Sequence, residues 1–102
     1  MHPSGSILGE AYGYLGDALT RSGAWQEAVD VYQTLVDLRP DDSPSKHRLS
    51  AARRQLGLAF LKHGALDRAI QELRLTLQLN PNDEQARAAL TDALDRKEVH
   101  RD

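Results

Sequence analysis

Four histidines are the side chains of this sequence best suited to hold a metal ion or to move protons near neutral pH. No two of them have the i, i+4 spacing that aims two imidazoles at one metal on a helix. They are His2, His47, His63 and His100. We interpret them as solvated surface residues and predict no metal site.

The other residues capable of catalysis also lack the surroundings that catalysis needs. None of the six serines has the Gly-x-Ser-x-Gly context of a nucleophile, and cysteine is absent. The glycines of GEAYGYLG are not preceded by a strand, so they predict a closely packed helix face rather than a phosphate loop. No carboxylate pair stands isolated in an apolar setting. The sequence therefore predicts no enzyme and no cofactor.

Composition and charge indicate a small soluble protein. The chain has 102 residues, of which 40% are hydrophobic and 27% charged, and we predict one domain over residues 1–102. The N-terminus has no basic and apolar signal pattern, and no run approaches the roughly 20 apolar residues of a membrane span. A cytoplasmic protein that does not contact membranes is the expectation.

Basic residues are concentrated in the middle of the chain, where residues 43–63 carry five basic and no acidic side chains. At about 100° per residue these five spread around a helix instead of forming one stripe. No aromatic residue is available among them for base stacking, because Phe60 belongs to the predicted core face. They are Lys46, Arg48, Arg53, Arg54 and Lys62. We predict no nucleic-acid binding; a solvated surface and an acidic protein partner both remain open.

Helix breakers divide the chain into five helical segments, and no alternating pattern indicates a strand. We predict the first two segments over about residues 7–22 and 24–39. The third runs from an N-cap at Ser43 to His63, the fourth carries apolar residues from Leu66 to Leu77, and the fifth opens with a capping box at Asn82. Helical spacing predicts apolar stripes on the first, third and fifth segments: Leu8, Tyr12, Leu15 and Leu19; Leu49, Ala52, Leu56, Ala59 and Phe60; Ala86, Leu90 and Leu94.

An internal repeat with an offset of 41 residues relates residues 12–42 to residues 53–83. The two copies match at small, apolar and helix-breaking positions alike. The pairs include Leu15 with Leu56, Gly16 with Gly57, Gly23 with Gly64, Ala28 with Ala69, Tyr32 with Leu73 and Pro40 with Pro81. In each copy the first glycine allows close approach of the next helix, the second ends the first helix, and the proline ends the second helix.

This pattern resembles the tetratricopeptide repeat, a helix–turn–helix unit of about 34 residues with the motif W-x2-L-G-x2-Y, then A-x3-F, then P. The resemblance implies an all-α solenoid of antiparallel helix pairs. It divides the chain into repeat one (9–42), an inserted helix extension (43–49), repeat two (50–83) and a capping helix (84–98). Arg53 departs from the motif because it stands where a bulky aromatic residue is expected.

In this family the first helix of each pair lines a concave groove that binds a peptide or helix of another protein. The resemblance places Tyr14, Asp17, Arg21, Arg54, Leu58, Leu61 and Lys62 in that groove. Leu58 and Leu61 lie outside the repeat motif and opposite the predicted buried stripe, so we interpret them as apolar anchors for a partner. The alternative is that both leucines pack inside the chain, for example under the fifth helix.

The sequence thus predicts a non-enzymatic adaptor for a protein or peptide partner. A self-associating module, or part of a longer repeat scaffold, is the alternative, since solenoids usually need at least three repeats. The carboxylate clamp that grips chaperone tails is disfavoured because Gly13 and Asp17 occupy positions where the clamp has Lys and Asn.

Overall fold

The structure, a computed structural model, describes residues 3–99, with side chains described from residue 7 onward. Five α-helices make up this part of the chain, and no strand occurs within it: α1 Pro3–Arg21, α2 Trp25–Leu38, α3 Ser43–Lys62, α4 Leu66–Leu79 and α5 Glu84–Val99. The all-α prediction is confirmed, although α1 begins at Pro3 rather than near residue 7. His2 and His100 lie outside the described residues.

In each repeat, one glycine ends the first helix. Gly23 and Gly64 have φ angles of +79° and +76°, in the left-handed region where a side chain is strained. The amides of the following residues, Ala24 and Ala65, donate to carbonyls five residues back, at 2.9 Å in each case. These are Schellman caps, and they fix the short turns into α2 and α4.

The N-cap of α3 lies one residue before the predicted position, and the N-cap of α5 lies one residue after it. Asp42 Oδ2 accepts the Ser45 amide at 3.1 Å, and Asp83 Oδ1 accepts the Ala86 amide at 2.9 Å. The predictions of Ser43 and Asn82 as caps were therefore wrong. A carboxylate makes the stronger, charge-assisted hydrogen bond and also interacts favourably with the positive end of the helix dipole.

The chain forms two compact units, Met1–Ala52 and Arg53–Asp102, and the boundary falls inside α3. In the first unit α1 packs against α2. The contact depends on Gly16, because a Cβ there would overlap the ring of Tyr32, which is itself 3% exposed. The glycine face predicted from GEAYGYLG is confirmed, since Gly9, Gly13 and Gly16 are all buried.

The apolar stripe predicted on α1 is not the buried side of that helix. Leu8 and Leu15 are 44% and 47% exposed. Their counterparts in the second copy, Leu49 and Leu56, are 1% and 5% exposed, as predicted for the α3 stripe. In α1 the glycines take the contacts with the rest of the unit, which turns the leucines outward.

In the second unit, Gly57 on α3 has the role of Gly16: a Cβ there would lie 2.9 Å from Leu73 Cγ. The buried cluster of this unit comprises Leu61, Ala69, Ile70, Leu73, Ala86, Ala89 and Ala93. The fifth helix thus buries three alanines, whereas Leu94 of its predicted stripe is 39% exposed. Small side chains allow α5 to lie close to α4, and a leucine stripe would hold it farther away.

We predict that Gly16→Ala lowers the free energy of unfolding by about 1–3 kcal/mol, because the added methyl overpacks the Tyr32 contact. Urea denaturation followed by circular dichroism measures the change.

Gly13→Ala is the matched control on the same helix. Its Cβ would meet only Arg48 Nη1, at 3.0 Å, at the end of a flexible side chain. Helix propensity should then make it neutral or stabilising by up to about 1 kcal/mol. Equal effects of the two substitutions would contradict the packing role of Gly16.

Candidate functional site

A cavity of about 320 Å³ opens in the first unit between α1, the end of α2 and the start of α3. We call it the α1–α3 cavity. Three carboxylates and two guanidinium groups lie among its lining residues: Gly9, Glu10, Gly13, Tyr14, Asp17, Leu35, Arg39, Asp42, Pro44, Ser45 and Arg48. Two of the predicted groove residues, Tyr14 and Asp17, therefore belong to one cavity.

Tyr14 provides the exposed aromatic surface of this cavity. Its side chain is 73% exposed, far more than a tyrosine of the core such as Tyr32. A tyrosine presents a large, rigid apolar face together with a hydroxyl group, which suits contact with another protein.

Asp17 is positioned by the core of the first unit. Tyr32 Oη donates to Asp17 Oδ1 at 2.5 Å, which joins α1 to α2. Burial raises the pKa of Tyr32, and the hydrogen bond to Asp17 raises it further. Arg48 Nε lies 3.9 Å from the same carboxylate. Tyr32 and Arg48 therefore position Asp17 in the cavity wall from two sides.

Glycines make room for the two arginines of the cavity. A Cβ at Gly9 would overlap the guanidinium of Arg39, and one at Gly13 would lie 3.0 Å from Arg48 Nη1. Sequence reasoning missed both arginines as site residues. The signal was present in the repeat, since Gly9 and Gly13 stand where the second copy has Ser50 and Arg54.

Arg54, which was predicted to face the groove, forms an ion pair within the second unit. Its Nη1 donates to Asp83 Oδ2 at 2.7 Å, and Asp83 is 7% exposed. Burial alone would raise the pKa of Asp83, but hydrogen bonds from the Ala86 amide and from Arg54 hold that pKa below its ordinary value. The pair fastens α3 to the N-terminus of α5.

Leu61 is 8% exposed and belongs to the buried cluster of the second unit, so the prediction that it anchors a partner was wrong. Leu58 is partly buried and packs against the same cluster. Leu58 and Leu73 are the repeat counterparts of Asp17 and Tyr32. Apolar packing of Leu58 against the cluster that contains Leu73 therefore takes the place of the Asp17–Tyr32 hydrogen bond, which is why Leu58 falls outside the repeat motif.

The remaining predicted groove residues, Arg21 and Lys62, are exposed on the last turns of α1 and α3. Across residues 3–99, no three His, Asp or Glu side chains come together in a way that could hold a metal ion. None of the helices described is both long and apolar enough to cross a bilayer.

Comparison with known families agrees with this geometry. Two family profiles, each described as a tetratricopeptide repeat, match residues 11–44 and 48–84. The chain belongs to the tetratricopeptide repeat family. Its fold class is accordingly the α-solenoid of helix pairs that the sequence predicted. Tetratricopeptide repeats are in general non-enzymatic modules of protein–protein interaction, and the two repeats of this chain make it an interaction module in that general sense.

One relative resembles part of this tetratricopeptide repeat protein. It is the small glutamine-rich tetratricopeptide repeat-containing protein 2 of Mycosarcoma maydis, which is 46% identical over 48 residues. The match covers 47% of this chain and 14% of the relative's length. The chain therefore corresponds to a small part of that protein.

We predict that Asp83→Asn lowers the free energy of unfolding at pH 7, because an asparagine retains the cap but leaves the Arg54 charge without its carboxylate. The pKa of Asp83 is lowered in the folded state, so its stabilising contribution is present above the unfolded pKa. This contribution is lost as the pH falls below about 4, toward the folded pKa. Urea denaturation at a series of pH values measures the effect.

The exposed residue Asp95, also on α5, provides the control substitution Asp95→Asn. A difference between wild type and Asp83→Asn that does not shrink on acidification would refute the electrostatic account.

Proposed function

We propose that this chain is a non-enzymatic adaptor that binds a peptide or helix of a partner protein, with the α1–α3 cavity as its principal contact. One observation carries the proposal: Tyr14 is 73% exposed beside a cavity of about 320 Å³. Ligand pockets have volumes of about 300–1,000 Å³, so a side chain of a partner fits there while its backbone follows α1.

The charges around this cavity favour a polar, oriented contact. Glu10 and Asp17 lie on α1, and Arg48 faces them from α3. Charged groups at the edge of a contact determine how the bound peptide is oriented and which charges it must carry. Burial of the Tyr14 ring contributes affinity.

The exposed basic residues Arg21 and Lys62 are further proposed contacts, each within its own unit. Leu58, which is only partly buried, adds apolar surface in the second unit. We further propose that the protein is cytoplasmic and that its partner is another protein. A net charge of only −2 and the family's general role in protein interaction favour a protein partner over a nucleic acid or a membrane.

We predict that Tyr14→Ala weakens peptide binding about tenfold or more, because truncation of a central aromatic contact typically costs about 2 kcal/mol. Peptides are first selected from a displayed random library on the wild-type protein, and fluorescence anisotropy then measures their affinities. Leu38→Ala is the matched control, since Leu38 is 45% exposed on α2 and does not line the cavity.

Circular dichroism should give the same helicity for all three proteins. Selected peptides that bind wild type and Tyr14→Ala equally well would remove the cavity from the proposal.

Self-association is the second candidate function, and the exposure of α1 favours it. Leu8 and Leu15 are about half exposed, although the same repeat positions in α3 are buried. Covering these leucines with a second copy would remove apolar surface from water.

If this face mediates self-association, light scattering across a dilution series should show a dimer that dissociates, and Leu15→Lys should remain monomeric at all concentrations. Leu94→Lys is the matched control at an exposed leucine on α5. A wild-type monomer at millimolar concentration would eliminate this candidate.

A further inference from the structure

The internal repeat shows what the α1–α3 cavity lacks. In the second unit, position 54 is an arginine that reaches the capping carboxylate Asp83, with Nη1 and Oδ2 2.7 Å apart. The equivalent positions of the first unit are Gly13 and Asp42. Gly13 has no side chain to reach Asp42, and both residues line the cavity.

The two capping carboxylates are otherwise built alike. Asp42 Oδ2 accepts hydrogen bonds from the amide and the hydroxyl of Ser45, and Asp83 Oδ1 accepts the Ala86 amide. Asp83 uses its second oxygen for the Arg54 guanidinium. Ser45 holds Asp42 ionised, since its hydrogen bonds lower the pKa of that carboxyl group. The Arg54–Asp83 pair of the second unit thus indicates which chemical group would fit beside Asp42 in the first unit: a guanidinium.

The charge of the cavity agrees with a cationic occupant. Glu10, Asp17 and Asp42 supply three carboxylates against the guanidinium groups of Arg39 and Arg48. Arg39 and Arg48 both compete for Asp42, because the charge of each guanidinium lowers the pKa of that carboxyl group. Arg48 Nε faces Asp17 at 3.9 Å, so Arg48 forms a wall of the cavity on the side of Asp17.

We propose that the α1–α3 cavity is a subsite for an arginine side chain of the partner peptide, whose guanidinium binds Asp42 as Arg54 binds Asp83. The inference rests on the proposed function and names the ligand chemistry of its site. A guanidinium keeps its charge in proteins and makes a charge-assisted hydrogen bond to a carboxylate oxygen, as Arg54 Nη1 does to Asp83 Oδ2.

The test is a titration of the full chain with acetyl-arginine methylamide, followed through backbone amide shifts in ¹H–¹⁵N NMR spectra. We expect saturable shifts at Gly9, Gly13 and Ser45, and none with the neutral isostere acetyl-citrulline methylamide or with acetyl-glutamate methylamide. Asp42→Asn keeps the cap and removes the charge, and it should weaken binding of the arginine probe about tenfold.

Gly13→Arg supplies the occupant from the protein itself. It should abolish binding of the probe and raise Tm above that of Gly13→Gln, a control with similar helix propensity and no guanidinium. Equal Tm values for these two variants, equal shifts with citrulline, binding of the glutamate probe, or unchanged affinity in Asp42→Asn would each overturn the inference. Selected peptides that depend on Tyr14 but contain no arginine would overturn it while leaving the proposed function intact.

Discussion

The close approach of the two helices in each repeat is the constraint on which the rest of the structure depends. Gly16 lies against the ring of Tyr32, and Gly57 lies against Leu73. A side chain at either glycine would move the second helix of the pair outward and open the interface beneath it. The Schellman caps at Gly23 and Gly64 serve the same contact, because they return the chain at the angle that this spacing requires.

Around this shared backbone arrangement, the two repeats use different chemistry at equivalent positions. Asp17 and Tyr32 form a hydrogen bond in the first unit, whereas Leu58 packs against the cluster containing Leu73 in the second. Arg53 pairs with Glu72 at 2.8 Å, where the first copy has Tyr12 and Val31. Both partners change together, because a polar group left alone in a buried contact would lose its hydrogen bond to water without compensation.

The candidate site arises where one such pair is incomplete. Asp42 retains the capping role of Asp83, but Gly13 removes the side chain that would reach it. The resulting cavity lies beside exposed Tyr14, on a helix whose buried side is made of glycines.

The sequence by itself determined the five helices and the turns between them, the internal repeat and the family, because glycines, prolines and small residues act through local backbone geometry and recur at fixed spacing. Gly23, Pro40 and their counterparts each act within a few residues of chain. It could not determine which side of α1 is buried or whether Leu61 is exposed, since a helical spacing pattern defines faces but not their neighbours. Only the tertiary structure assigned Arg54 to Asp83 and left Asp42 facing a cavity. The physical reason is that an ion pair depends on distance in space and not along the chain. Arg54 Nη1 and Asp83 Oδ2 come within 2.7 Å of each other only through the packing of α3, α4 and α5.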